Sequence, residues 1–188
     1  MREILYINAC VREQSRTKAL AEHLLSKLEG NVTEICLNEI ECKPLDEQRL
    51  IERDAALLEG NMDAPILRLA KQFATADEIV IAAPFWDLSI PALLKCYLEN
   101  VSVCGVSFRY GENGKVIGLC RAKRMFVVMT SGGPCIKNYG IDYIRALAQN
   151  LYGIETVEDF TAEGLDIIGN DTSAILAQTA QKIDDFTV

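Results

Sequence analysis

The sequence predicts an α/β fold, a five-stranded parallel sheet in the order 2-1-3-4-5 with helices on both faces. Two observations carry this. Strand-like and helix-like stretches alternate through five β-α units from one end of the chain to the other, with no repeats, low-complexity tracts or linkers between them. Near the middle, the β-branched and alanine run Ile79 to Ala83 stops abruptly at Pro84, and Pro91 opens an amphipathic segment. At 188 residues the chain suffices for one well-filled core and is too short for two ordinary domains, so 1–188 is expected to form a single domain.

Glu3 to Asn8 reads as a short buried strand, and Ala19 to Leu28 as a helix with Leu20, Leu24 and Leu28 on one face. The intervening loop, from Ala9 to Thr17, runs from a strand end to a helix start. Backbone N–H groups at a helix N-terminus, with Ser15, Arg16 and Thr17 beside them, make a seat for a phosphate. The plainer alternative is that Ser15 or Thr17 only caps the helix and Arg16 is a solvated charge. His23, the single histidine, is expected to flank this helix without a chemical role.

Val32 to Leu37 is the second strand, and Asn38 to Asp46 an irregular connection containing Pro44. Two helical stretches follow, Glu47 to Glu59 and Ala64 to Ala76, broken at Gly60-Asn61. This is more chain than a simple crossover needs, and it reads as an insertion covering an edge of the site. The third strand, Ile79 to Pro84, delivers Phe85, Trp86 and Asp87 to its carboxyl end, where an open α/β sheet places its ligand crevice. The helix from Pro91 to about Val103 carries Leu94, Tyr97, Leu98 and Val101 at core spacing. Four glycines, Gly105, Gly111, Gly114 and Gly118, make Val103 to Arg121 a loop or hairpin. Met125 to Met129 is the fourth strand, ending in Thr130-Ser131-Gly132-Gly133-Pro134. Tyr139 to Tyr152 is helical in pattern, Ile154 to Thr161 the fifth strand, and Asp171 to Phe186 a closing helix.

A net charge of −8 argues against nucleic acid or an anionic membrane as the main partner, because both require a basic face. The seven cysteines include no C-x-x-C pair and only one histidine accompanies them, so no metal site is expected. Their odd number and apolar surroundings fit reduced thiols in a cytoplasmic protein. The opening residues hold too short an apolar run for a signal peptide, and no stretch approaches a membrane span.

The 2-1-3-4-5 order brings three loops together. Gly132 and Gly133 have no side chains to hold a ligand away from the backbone N–H groups. Phe85 and Trp86 offer a flat apolar surface whose exposure is costly unless something covers it. With the phosphate seat, they describe a site for a phosphorylated planar ligand, and flavin mononucleotide has that shape.

The chain resembles the FMN-dependent NAD(P)H oxidoreductases of flavodoxin-like fold, which include quinone reductases and azoreductases. The resemblance spans nearly the whole chain. It rests on Ser15-Arg16-Thr17, on Ala83-Pro84-Phe85-Trp86-Asp87-Leu88-Ser89-Ile90-Pro91 with Leu94-Lys95 and Tyr97, on Ser107-Phe108-Arg109-Tyr110, on Ser131-Gly132-Gly133 and on Ala162-Glu163-Gly164. It implies an FMN with its phosphate on Ser15, Arg16 and Thr17. The ring would lie against Pro84, Phe85, Trp86, Asp87 and Leu88, with its pyrimidine edge near Thr130, Ser131, Gly132 and Gly133. It further implies ping-pong hydride transfer from NADH or NADPH to a quinone, azo or nitro acceptor, with no catalytic side chain required. The family's homodimers, with the site at the subunit interface, would give Tyr97 and Val101 a role beyond the core.

Two positions depart from the azoreductase-like pattern, which commonly has Asn at Asp87 and Arg at Ser131; the family's histidine after the glycine pair is also replaced, by Pro134-Cys135. A carboxylate at Asp87 is expected to disfavour a reduced, anionic flavin and so lower its potential.

Cys10 to Thr17 also matches C-x5-R-[ST], the phosphate loop of tyrosine phosphatases, where a cysteine thiolate attacks phosphorus and the arginine holds the phosphoryl oxygens. The loop lacks that class's glycine and asparagine, and the chain has no Asp-Pro pair to present a general acid. A non-enzymatic flavin carrier or redox sensor is the other alternative. Classical flavodoxins, however, have a Thr- and Ser-rich phosphate loop that this chain lacks.

Overall fold

The computed structural model describes residues 1–135 and 137–186. Strands β1 (Glu3–Asn8), β2 (Asn31–Cys36), β3 (Glu78–Pro84), β6 (Arg124–Thr130) and β7 (Thr156–Ala162) form a parallel sheet in the order β2-β1-β3-β6-β7. This is the expected 2-1-3-4-5 order, because β4 (Phe108–Tyr110) and β5 (Val116–Gly118) pair only with each other, as an antiparallel hairpin within the glycine-rich stretch.

The central strands are apolar on both faces because both are covered. Side chains alternate across a strand, so each strand feeds two cores. Leu5, Ile7, Ile79, Ile81, Met125 and Val127 face one side, where α3 (Arg68–Thr75), α4 (Ala92–Val101) and α5 (Ile141–Leu147) pack. Ile4, Tyr6, Val80, Ala82, Phe126 and Val128 face the other, under α1 (Arg16–Leu25) and α6 (Thr172–Asp185). Helix α2 (Glu47–Leu58), capped by Asp46, belongs to the insertion and buries only Ala56.

Tyr97 and Val101 are fully buried in α4, and Tyr97 meets Phe73 edge to face. They are core residues of this chain and have no surface to offer a partner, which corrects the interface role inferred from the resemblance. Helix α1 starts at Arg16, three residues before the expected Ala19, because Ser15 adopts an extended conformation and its Oγ accepts a hydrogen bond from the Lys18 N–H. Helix α5 widens into a π turn over Ala148–Tyr152 and stops at Gly153, which is left-handed.

Glu78 opens β3 with a buried carboxylate. Its Oε1 accepts from Arg124 Nε at 3.1 Å and Nη2 at 2.5 Å, and from the more exposed Arg2 at 3.3 Å. A buried charge stripped of its main partner is costly, whereas an exposed partner contributes little. Arg124→Ala is therefore expected to cost about 2–4 kcal/mol in denaturant unfolding, against less than about 1 kcal/mol for Arg2→Ala. Equal costs for the two variants would contradict this reading.

Candidate functional site

The parallel register sets the strand ends level: Asn8 lies opposite Ala82, Pro84 opposite Thr130, and Thr130 opposite Ala162. Each of the loops leaving that edge is tied to its neighbour through the backbone. Ala9 N–H donates to Ala82 O, Phe85 N–H to Thr130 O, and Ser131 N–H to Ala162 O, all at 2.9 Å. Side chains add to this. The buried Thr17 and Thr130 hydroxyls meet at 2.6 Å, joining the first turn of α1 to the end of β6.

The structure brings Ser15, Arg16, Thr17, Pro84, Phe85, Trp86, Thr130, Ser131 and Gly132 together around one polar cavity of about 140 Å³. Ser15 both caps α1 and lines this cavity, so its capping role does not exclude a ligand contact. The N–H groups of a first helical turn have no carbonyl four residues back, and they give this end of the cavity a positive edge. Arg16 adds a guanidinium: Nη2 donates to Asp166 Oδ1 at 2.8 Å and Nη1 to Leu165 O at 3.3 Å. The cavity is phosphate-sized and carries donors on one side.

Asp166 was invisible to sequence reasoning, since it reaches Arg16 across most of the chain. Its only signal was its place just beyond Ala162-Glu163-Gly164, at the end of the outermost strand. It also explains one glycine: a Cβ on Gly132 would collide with the Asp166 carboxylate. The neighbouring Gly133 is different, because a Cβ there would meet nothing within 4 Å. The turn is closed internally by Ser131 Oγ, which donates to Gly133 O at 2.6 Å.

Beyond Trp86 and Val11, which line both spaces, a second and larger cavity of about 740 Å³ opens. Its size falls in the range of small-molecule sites. Asp87 lines it, with Ile90, Leu93, Lys95, Tyr139 and Tyr143. Lys95 pairs with Glu99 and stands 5.9 Å from the Tyr143 ring centre. Sequence reasoning took Tyr139 and Tyr143 for ordinary residues of a helical pattern. Leu88 and Gly133, both expected at the site, line neither cavity.

The aromatic loop is a two-residue hairpin. Trp86 and Ser89 exchange backbone hydrogen bonds of 3.0 and 2.8 Å, and the residues between them, Asp87 and Leu88, have φ of 51° and 66°. Two consecutive positive φ values define a type I′ turn, which asparagine and glycine fill most readily. Aspartate tolerates this region; leucine does not, at about 1–2 kcal/mol. The loop therefore holds Trp86 half-exposed at the junction of the two cavities at the expense of strain.

The geometry does not suit phosphatase chemistry at Cys10. A nucleophilic thiolate needs a depressed pKa, whereas burial pushes the Cys10 thiol up, and Ser15 and Thr17 only partly offset this. Cys10 does border the small cavity, but its Sγ–H is directed at Ala82 O, 3.9 Å away.

Removing the strain at Leu88 is expected to stabilise the chain. Leu88→Gly should raise the melting temperature by about 2–4 °C, corresponding to ~1 kcal/mol, while Leu88→Ala should not. A fall for the glycine variant in a thermal melt would contradict the strained turn.

Comparison with known proteins agrees with this architecture. The family model described as flavodoxin-like fold matches residues 2–186. The chain is 34% identical over 187 residues to the FMN-dependent NADH:quinone oxidoreductase of Coprothermobacter proteolyticus, covering 91% of this chain and 90% of that one. It is 30% identical over 199 residues to the protein of the same name from Caldicellulosiruptor saccharolyticus, covering 99% and 98%. Among solved structures, an FMN-dependent NADH-azoreductase from Bacillus anthracis in complex with FMN superposes with a TM-score of 0.82 over 98% of this chain and 97% of that one. At 24% identity, that match speaks for the fold. Sequence and fold thus agree: the chain belongs to the flavodoxin-like family, among the FMN-dependent NADH:quinone oxidoreductases.

Proposed function

We propose that this chain is an FMN-dependent oxidoreductase that passes hydride from NADH or NADPH to a quinone, azo or nitro compound in ping-pong fashion. The observation that carries the reading is the joined pair of cavities, a small one with cationic donors and a large aromatic one, meeting at Trp86. The relatives are named for this activity.

The residues present fit FMN. A phosphate monoester matches the cavity at the start of α1, where Ser15, Arg16 and Thr17 supply N–H groups, a hydroxyl and a guanidinium. A flat ring fits along Pro84, Phe85, Trp86 and Asp87, which line the two cavities, with Leu88 on the turn beside them. Thr130, Ser131, Gly132 and Gly133 then stand at its polar edge, with open space over Gly133 for close approach. When bound, FMN supplies the capacity to accept a hydride from the nicotinamide and give it up to the acceptor. The side chains bind and orient the partners; none is required as acid, base or nucleophile. Trp86 and Tyr139, which line the larger cavity, are 40% and 54% exposed, Leu88 on the adjoining turn is 52% exposed, and a second copy covering them completes the site as a homodimer. The described residues include no helix long and apolar enough to cross a membrane, and all seven cysteines are free thiols. We read the chain as a single-domain protein acting on small molecules in the cytoplasm, where its thiols would stay reduced.

Purified protein is expected to show flavin absorbance, or to acquire it on adding FMN, and to bleach anaerobically with NADH or NADPH and recolour with a quinone. A colourless protein that does not take up FMN would overturn the proposal. Arg16→Ala is expected to raise the Kd for FMN about tenfold or more, as for loss of a charge-assisted hydrogen bond, when followed by ultrafiltration. Asp87 near a reduced, anionic flavin disfavours reduction by up to roughly 4 kcal/mol at about 4 Å and an effective dielectric near 20. At about 30 mV per 1.4 kcal/mol, Asp87→Asn should raise the flavin midpoint by some tens of millivolts, and an unchanged midpoint would exclude this role.

A further inference from the structure

Outside the site, two thiols lie against each other. Cys42 Sγ and Cys96 Sγ are 3.7 Å apart, the one thiol–thiol contact among the described residues. Cys42 belongs to the irregular connection after β2 and is partly exposed; Cys96 is buried on α4, the helix that also gives Leu93 and Lys95 to the larger cavity. The arrangement is held by a polar network. Asn100 Nδ2 donates to Lys43 O and Cys96 O at 2.9 Å and lies 3.7 Å from each sulfur, while its Oδ1 accepts from Arg49 Nη2 at 3.1 Å. The insertion and α4 therefore meet at a paired dithiol.

We propose that Cys42 and Cys96 form a reversible dithiol–disulfide site, oxidised by hydrogen peroxide, that staples the insertion to the helix bordering the larger cavity. The sulfurs need only close from 3.7 Å to the ~2.0 Å of a disulfide. The more exposed Cys42 reacts first. Its thiolate attacks one peroxide oxygen, an S–O bond forms as the O–O bond breaks, and the departing hydroxide takes a proton to become water. The Cys96 sulfur then attacks the Cys42 sulfenic acid; the S–S bond forms, the S–O bond breaks, and a second water leaves with the Cys96 proton. Two thiols and one peroxide become one disulfide and two waters, with two electrons passing from sulfur to oxygen.

The surroundings set how readily this occurs. Burial, with the Cys96 thiol beside it, pushes the Cys42 thiol up to about 12, against the opposing charge of Arg49 on α2. Arg49 of α2 and Cys96 and Tyr97 of α4 are the titratable groups near this sulfur from the packed helices, while Glu41 and Lys43 on its own loop pair with one another. The pair accordingly stays reduced at neutral pH unless peroxide is sustained. Its oxidation rate should climb about tenfold per pH unit below that value, following the thiolate fraction. Closing the staple joins positions separated by 54 residues, which restrains the unfolded chain and raises the melting temperature.

The test does not depend on flavin binding. The full-length protein would be treated with hydrogen peroxide at pH 7, 8 and 9, alkylated without reduction and mapped by mass spectrometry. The expected result is a Cys42–Cys96 linked peptide that forms about tenfold faster per pH unit, reverts with a reductant and raises the melting temperature. Cys42→Ser and Cys96→Ser should each abolish both the link and the thermal shift. Stable sulfinic acid at Cys42, preferential linkage of another pair, or absence of any Cys42–Cys96 peptide would overturn the proposal, as would a rate independent of pH.

Discussion

The constraint on which the site depends is the parallel register of β1, β3, β6 and β7. It sets Ala82 beside Asn8, Thr130 beside Pro84 and Ala162 beside Thr130, so the following loops begin at one level. A shift of one residue in any pairing would turn that strand's apolar set from one core to the other, and both cores are filled. Packing far from the loops thereby fixes where they start. The Thr17–Thr130 contact and the backbone bonds from Ala9, Phe85 and Ser131 then hold them together.

On that edge the site divides its chemistry by distance from α1. Near the helix start, N–H groups and Arg16 offer positive potential, tempered by the Asp166 carboxylate. Farther out, past Trp86, aromatic and aliphatic side chains dominate, and Lys95 is neutralised by Glu99. A ligand with an anionic tail and a flat apolar head fits such a gradient in one orientation only. The Asp87-Leu88 turn, closed by the paired Trp86–Ser89 backbone hydrogen bonds, sets the backbone position of Trp86 where that head would lie.

Much of this was legible in the sequence because the information was local. The uninterrupted apolar runs of β1, β3 and β6 announced buried parallel strands, and the loop residues Ser15, Arg16, Trp86 and Gly132 followed from where those runs ended. Helix α1 was placed three residues late because its first turn, Arg16-Thr17-Lys18, is polar, and the Ser15 cap outweighs the missing apolar periodicity. The turn at Asp87-Leu88 carries none of the usual asparagine–glycine signal, since leucine violates the local preference and the paired Trp86–Ser89 backbone hydrogen bonds close the turn regardless. Asp166 was hidden for another reason: its meaning comes from Arg16, 150 positions away, and from a glycine on a third loop. Tyr97 illustrates the reverse error. Its core spacing was read correctly, and only the resemblance drew it toward an interface that its complete burial forbids.

The measurement that bears most directly on the account is a titration with FMN followed by tryptophan emission, because Trp86 is the only tryptophan in the chain. If the ring lies against the aromatic loop, the emission is quenched saturably, to completion at one FMN per chain, and in step with binding measured by ultrafiltration. FMN bound at one per chain with Trp86 emission unchanged would contradict the account, since the flavin would then occupy some other part of the molecule.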